Sequence, residues 1–271
     1  MPAIIRLSVV VVVIISLFSS CRTEPDPWVY DHTIALKDIT PVCVIPEGDH
    51  FWIADADNNR LVKTDAAGKL LDTVSGLSRP MHMALRNGTL YIPEYGNDTI
   101  SLLWREVKDV VWLPETPSGP SGVDKDKNRM VVADFYNHRV IYVEGEHNLT
   151  FGHKGKEAGA FGYPTDVQFA HDKIFVADAH NHRIQVFDLK GQHLKTIGEK
   201  EGMKVANGIF VSQEAIFVTD NDNSRLLVYD LEGVLVQIIT EGLNKPADAW
   251  ADNKNLYVAN QQGRSVSVYR R

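Results

Sequence analysis

Cysteine is nearly missing from this chain. Of 271 residues only Cys21 and Cys43 are cysteines, and the first ends an apolar leader. One remaining thiol cannot close an internal disulfide, so the fold must be held by burial and strand pairing. Basic charge is scarce too. Lys and Arg total 28 against 35 Asp and Glu, for a formal net charge of −7. That balance lacks the positive footprint a nucleic-acid backbone demands. Long apolar runs are absent beyond residue 18, and no Trp-Asp dipeptide occurs.

What is present is a repeat. VADAHNHRIQVFD (176–188) is its clearest copy, with others at 52–63, 131–143 and 217–230 and decayed copies at 91–103 and 257–269. Each joins two β-rich stretches through a polar turn. The anchor positions are Asp55, Glu94, Asp134, Asp178, Asp220 and Asn260, spaced by 39, 40, 44, 42 and 40 residues. A period near ~40 with several short strands per unit is the signature of a β-propeller blade. We therefore expect an all-β, six-bladed propeller of four-stranded antiparallel blades spanning residues 28–271. The sixth repeat stops after three strands, and WVYDHTIAL (28–36) alternates like a strand. This segment is expected to pair beside Ser265–Tyr269 and close the ring, because an open sheet edge is a liability.

The N-terminus reads as an address. Arg6 precedes Leu7–Phe18, about a dozen apolar residues where a spanning helix needs roughly 20. Residues 1–20 therefore read as a signal peptide. The Ser19-Ser20-Cys21 ending is similar to a bacterial lipobox, although Phe18 stands where Leu is usual. The expectation is lipidation at Cys21, a tether over 21–27, and a membrane-anchored protein of the bacterial envelope facing the periplasm or the exterior. A monomer is expected.

The run GHKGKEAGAFGYPTDVQFAHDKIFVADAHNHRIQVFDLKGQHLKTIG (152–198) resembles the NHL repeat in the order of its glycines, its FxxP, its VAD and its N-x-R-I-x-V-F. The likeness covers residues 41–271, weakest in repeats two and six; WD40 is the other repeat type weighed. It implies a ring whose first strand is innermost, like that of bacterial lipid-anchored NHL-repeat proteins. The recurring Asp55, Asp134, Asp178 and Asp220, with Arg60, Arg139, Arg183 and Arg225, read as blade-building devices, since a strand-end Asp caps a tight turn.

Chemistry should then lie where strand one meets the channel. Taking Pro41, Pro80, Pro120, Pro164, Val205 and Pro246 as opening residues puts Cys43, His82, Gly122, Asp166, Asn207 and Asp248 two places on. We expect His82, Asp166, Asn207 and Asp248 to bind a small molecule, a glycan or an envelope protein. Arg79, Tyr163, Lys204 and Lys245, just before the opening residues, would form the rim of the same face, shared with the loops between strands two and three. The structural alternative is that small polar residues crowd the axis and hold water. An enzymatic alternative is a metal-dependent lyase or a lactonase-type hydrolase at the channel mouth. The resemblance to the peptidyl-hydroxyglycine amidating lyase lacks that family's zinc ligands, because Val42, Met81, Ser121, Thr165, Ala206 and Ala247 stand where three histidines are needed. A lactonase-like calcium site would use Asp166, Asn207 and Asp248 with His82 as base. No catalytic residue, metal or cofactor is assigned; calcium or zinc is the metal such a channel would take. His138, His180 and His182 approach one another in the loops without a zinc-like spacing.

Overall fold

A computed structural model describes residues 26–105 and 107–271; the leader and Cys21 lie outside the described residues. The strands form six four-stranded sheets. Blade four shows the plan: Pro164–Ala170 innermost, then Lys173–Asp178, Arg183–Phe187 and His193–Ile197. Inner strands are buried on both faces, as in Pro41–Glu47, whereas outer strands such as Leu70–Val74 are largely exposed. No helix among the described residues is long and apolar enough to cross a membrane.

The repeat motif forms the hairpin between strands two and three. Asp178 is fully buried and accepts from Arg183 Nε at 2.8 Å, from Asn181 Nδ2, and from the Gly162 amide at 2.6 Å. Asp55, Asp134 and Asp220 repeat that pattern with Arg60, Arg139 and Arg225. These groups are spent on turn geometry, which is the structural role expected of them. In blade two Glu94 replaces Asp and takes Lys108 Nζ at 2.9 Å and Ser101 instead of Arg.

An apolar seam lies between each pair of blades. The seam between blades four and five packs Phe175, Ile184, Ile197, Ile209, Val218, Leu227 and Tyr229. At about 1.5–3 kcal/mol per buried side chain, such a seam outweighs any single ion pair across it. The ring closes as the alternation predicts. Val29–Ala35 pairs antiparallel with Ser265–Arg270, from Val29 opposite Arg270 to Ala35 opposite Ser265. Both ends of the propeller thus lie in blade six.

Inner strands of neighbouring blades diverge, so side chains bridge them near the axis. Asp166 Oδ2 accepts from the Ile209 amide at 2.9 Å, and Asp248 Oδ2 from Val44 at 3.0 Å. Asp124 reaches the Phe169 amide and Gln168 the Val211 amide. Blade two solves the problem with backbone: its regular inner strand is only Ala84–Arg86, and His82 forms a parallel bridge to Gly122 in blade three.

Candidate functional site

Strand register defines the axial ring. Pro41, Pro120, Pro164 and Pro246 pair with Asp55, Asp134, Asp178 and Asn260, and Pro80 bridges to Glu94. In blade five the residue opposite Asp220 is Ala206, not Val205. The expected alignment is therefore one residue out there, and Gly208 replaces Asn207 on the ring. Asn207 turns aside and donates from Nδ2 to the Ala247 carbonyl at 3.0 Å. Blade five lacks the proline that marks the other strands, which is why the slip arose; the constant offset from the Asp anchor would have caught it.

The corrected ring reads Cys43, His82, Gly122, Asp166, Gly208, Asp248, with bulky polar groups in blades two, four and six. The odd blades carry small residues because the axis is crowded. A Cβ on Gly122 would lie 2.7 Å from Asp166 Cα, and one on Gly208 2.4 Å from the Ala247 carbonyl oxygen.

His82, Asp166 and Asp248 converge. His82 Nδ1 lies 3.8 Å from Asp166 Oδ2 and 3.8 Å from Asp248 Oδ1, too far for hydrogen bonds. His82 is 2% exposed, and neither of its ring nitrogens has a partner among the described residues. Buried polar atoms are rarely left so. One donor atom from each of the three residues falls within 4.8 Å of the others, the one such trio among the described residues. Burial, with the Asp248 charge nearby, pushes the Asp166 carboxyl up. Burial opposes the His82 imidazolium, but the two carboxylates outweigh it and hold His82 above its ordinary value. Cys43 is pushed well up by burial and by Asp248. The floor carries two carboxylates for one imidazole and is starved of positive charge.

Above this floor is a cavity of about 250 Å³. Its wall is a second ring, two residues further along each inner strand: Ile45, Ala84, Asp124, Gln168, Phe210 and Trp250. Strand alternation puts these on the same face as the first ring, so period two alone could have identified them. The polar wall groups are engaged. Asp124 Oδ1 takes Arg86 at 2.7 Å; burial pushes its carboxyl up to about 6, although the guanidinium pulls it the other way. Phe210 and Trp250 form an aromatic side, their centroids 5.7 Å apart.

The cavity runs from the ring toward the far ends of the inner strands, where Pro46 and Arg86 line it. This corrects the expected single working face. Arg79, Tyr163, Lys204 and Lys245 lie at the opposite, opening end and do not line the cavity. They do sit beside the strand two–three loops, as antiparallel order requires: Tyr163 stacks near His138, His180 and Phe135, and the Arg79 guanidinium lies 5.5 Å from the Tyr95 ring. His138 Nδ1 accepts the Tyr163 amide and His182 Nδ1 meets the Lys204 carbonyl, so these histidines do not converge as metal ligands.

Residues 155–262 match the family DUF5128, described as a 6-bladed beta-propeller. A segment of 97 residues is 32% identical to NHL repeat-containing protein 2 of Bos taurus, covering 31% of this chain and 13% of that protein. The chain is a six-bladed β-propeller, similar over this segment to an NHL repeat-containing protein. It spans only a small part of that relative's length. The propeller also superposes on solved structures. One is virginiamycin B lyase from Staphylococcus aureus, solved as a catalytically inactive variant with quinupristin: TM-score 0.66, 11% identity, 89% of this chain and 98% of that one. Another is a streptogramin B lyase: TM-score 0.68, 14% identity, 89% and 86% covered. At such identity the likeness is one of fold.

Proposed function

We propose that this propeller is an envelope-anchored binding protein that holds a small molecule in the central cup, head group on His82, Asp166 and Asp248 and apolar body against Phe210 and Trp250. One observation carries the reading. The wall carboxylate Asp124 and amide Gln168 are both occupied by protein, whereas the His82 imidazole at the floor has no partner among the described residues. A site with an aromatic wall and a few convergent polar groups is the usual form of a small-molecule pocket. The cup, about 250 Å³, lies just below the roughly 300–1,000 Å³ usual for small-molecule pockets, which suits a small molecule or the end of a longer one. The leader and Cys21 support delivery to the envelope, where such a cup would capture or present its ligand.

The enzymatic alternative is favoured by the same imidazole. A buried base beside two carboxylates can take a proton from a bound substrate, and two of the solved structures of this fold are lyases by title.

The test is native mass spectrometry of the full chain extracted from its own membranes. A small adduct on the wild type that is lost in Phe210→Ala and Trp250→Ala is the expected result. An adduct unaffected by both substitutions, or none on wild-type protein, refutes the cup as the site.

A further inference from the structure

We propose that the floor of the cup is a three-ligand divalent-cation centre, built from His82, Asp166 and Asp248 and open on the cup side. The inference rests on the cup being the working site, and it fixes the ligand's chemistry: the head group is an oxygen donor such as a carboxylate, a carbonyl or a hydroxyl.

The geometry comes from the ring. Three alternate blades each send one donor to the axis, and Cys43, Gly122 and Gly208 between them leave room for the three to converge. With His82 Nδ1 3.8 Å from each carboxylate oxygen and all three donors within 4.8 Å of one another, a cation centred among them lies no more than about 2.5 Å from each, within a small adjustment of zinc–nitrogen and zinc–oxygen distances. Little movement is needed to load it. The carboxylates are already braced. Asp166 is held by the Val167 and Ile209 amides, and the far oxygen of Asp248 by Val44, leaving its Oδ1 turned to the axis. Such outer hydrogen bonds aim ligands at a metal. The unpartnered imidazole is the independent observation: both His82 ring nitrogens are buried without a hydrogen-bond partner among the described residues, and Nδ1 faces two carboxylates.

Donor chemistry selects the metal. One imidazole and two carboxylates suit zinc or manganese. Calcium takes six to eight oxygens, and magnesium prefers carboxylates, waters and phosphates. The protein supplies three ligands, so further positions face the cup, the arrangement of a site that accepts an exogenous ligand. The cation would also offset the like charges of Asp166 and Asp248.

The full chain is stripped with chelator, equilibrated with Zn²⁺ or Mn²⁺ and assayed for bound metal. We expect about one equivalent per chain and a higher melting temperature with metal. Asp166→Asn, Asp248→Asn and His82→Gln should each weaken binding by at least about 100-fold, beyond the 10–100-fold typical of outer-shell changes, and abolish the metal-dependent rise. Leu194→Ala, exposed on the outer strand of blade four, should leave both intact. Much less than one equivalent on the wild type overturns the proposal, whatever the variants do. So does equal binding by wild type and all three floor variants. If the cation fails while the small-molecule adduct persists, the centre is refuted and the cup stands. If the cation binds and no adduct depends on Phe210 or Trp250, the centre stands and the binding reading falls.

Discussion

Trp28 is where closure of the ring can be weighed. It precedes the closing strand and is 5% exposed, wedged into the seam of blades five and six. Its ring meets Phe217 edge-on at 6.0 Å, and the Arg271 guanidinium lies 4.6 Å from its centroid. Its backbone makes two bonds with Gln237, at 3.0 and 2.8 Å, and these survive truncation. Trp28→Ala therefore removes the ring's packing and its contact with Arg271 but no hydrogen bond, and should cost about 3–5 kcal/mol. For a domain of this size each kcal/mol lowers Tm by about 2–4 °C, so a fall on the order of 10 °C is expected. The neighbouring Val29 is 62% exposed, and Val29→Ala should stay within about 0.5 kcal/mol of wild type. Thermal melting by circular dichroism of both variants decides the matter. Equal effects, or a Trp28→Ala cost below about 1 kcal/mol, a third of the lower bound, would mean that the closing strand does not latch the ring.

Asp178→Ala should destabilise by about 3–5 kcal/mol, because it strands the buried Arg183 guanidinium; urea titration reads it. Asp124 supplies a pH dependence. Its folded pKa of about 6 lies above the ordinary carboxyl value of 3.8, so its favourable contribution is complete below pH ~4 and lost as pH rises through ~6. At 1.36 kcal/mol per unit the loss is on the order of 3 kcal/mol, and Asp124→Asn should flatten the melting profile between pH 4 and 7. An unchanged slope would contradict this. Gly122→Ala would drive a Cβ into Asp166 and should weaken cation binding at the floor, measured by the same metal assay. Cys21→Ala should move the protein from the membrane to the soluble fraction and abolish incorporation of a labelled fatty acid; retention of both would refute the lipid anchor.

The repeat was legible because its Asp and Arg are bound to each other, so turn chemistry printed the blade boundaries on the chain. The closing strand was legible from alternation at 28–36. The axial trio was found by counting from proline, and the count slipped at Ala206, where proline is missing. The open end of the channel was not legible. It depends on how tightly the ring side chains fill the axis on one side, and a glycine at 122 or 208 has no side chain with which to announce that. Phe210 and Trp250 were missed because the count stopped at the first ring, although period two continues to the second.

The alternation of reaching and spacer residues around the axis means that the chemistry of the centre is written at only three loci, each some eighty positions apart in the chain. The other three blades act as silent washers. Swapping the group at 82, 166 or 248 should retune what the channel accepts, provided a replacement at 166 or 248 still accepts from the Ile209 or Val44 amide, while any enlargement at 122 or 208 should jam the whole hub.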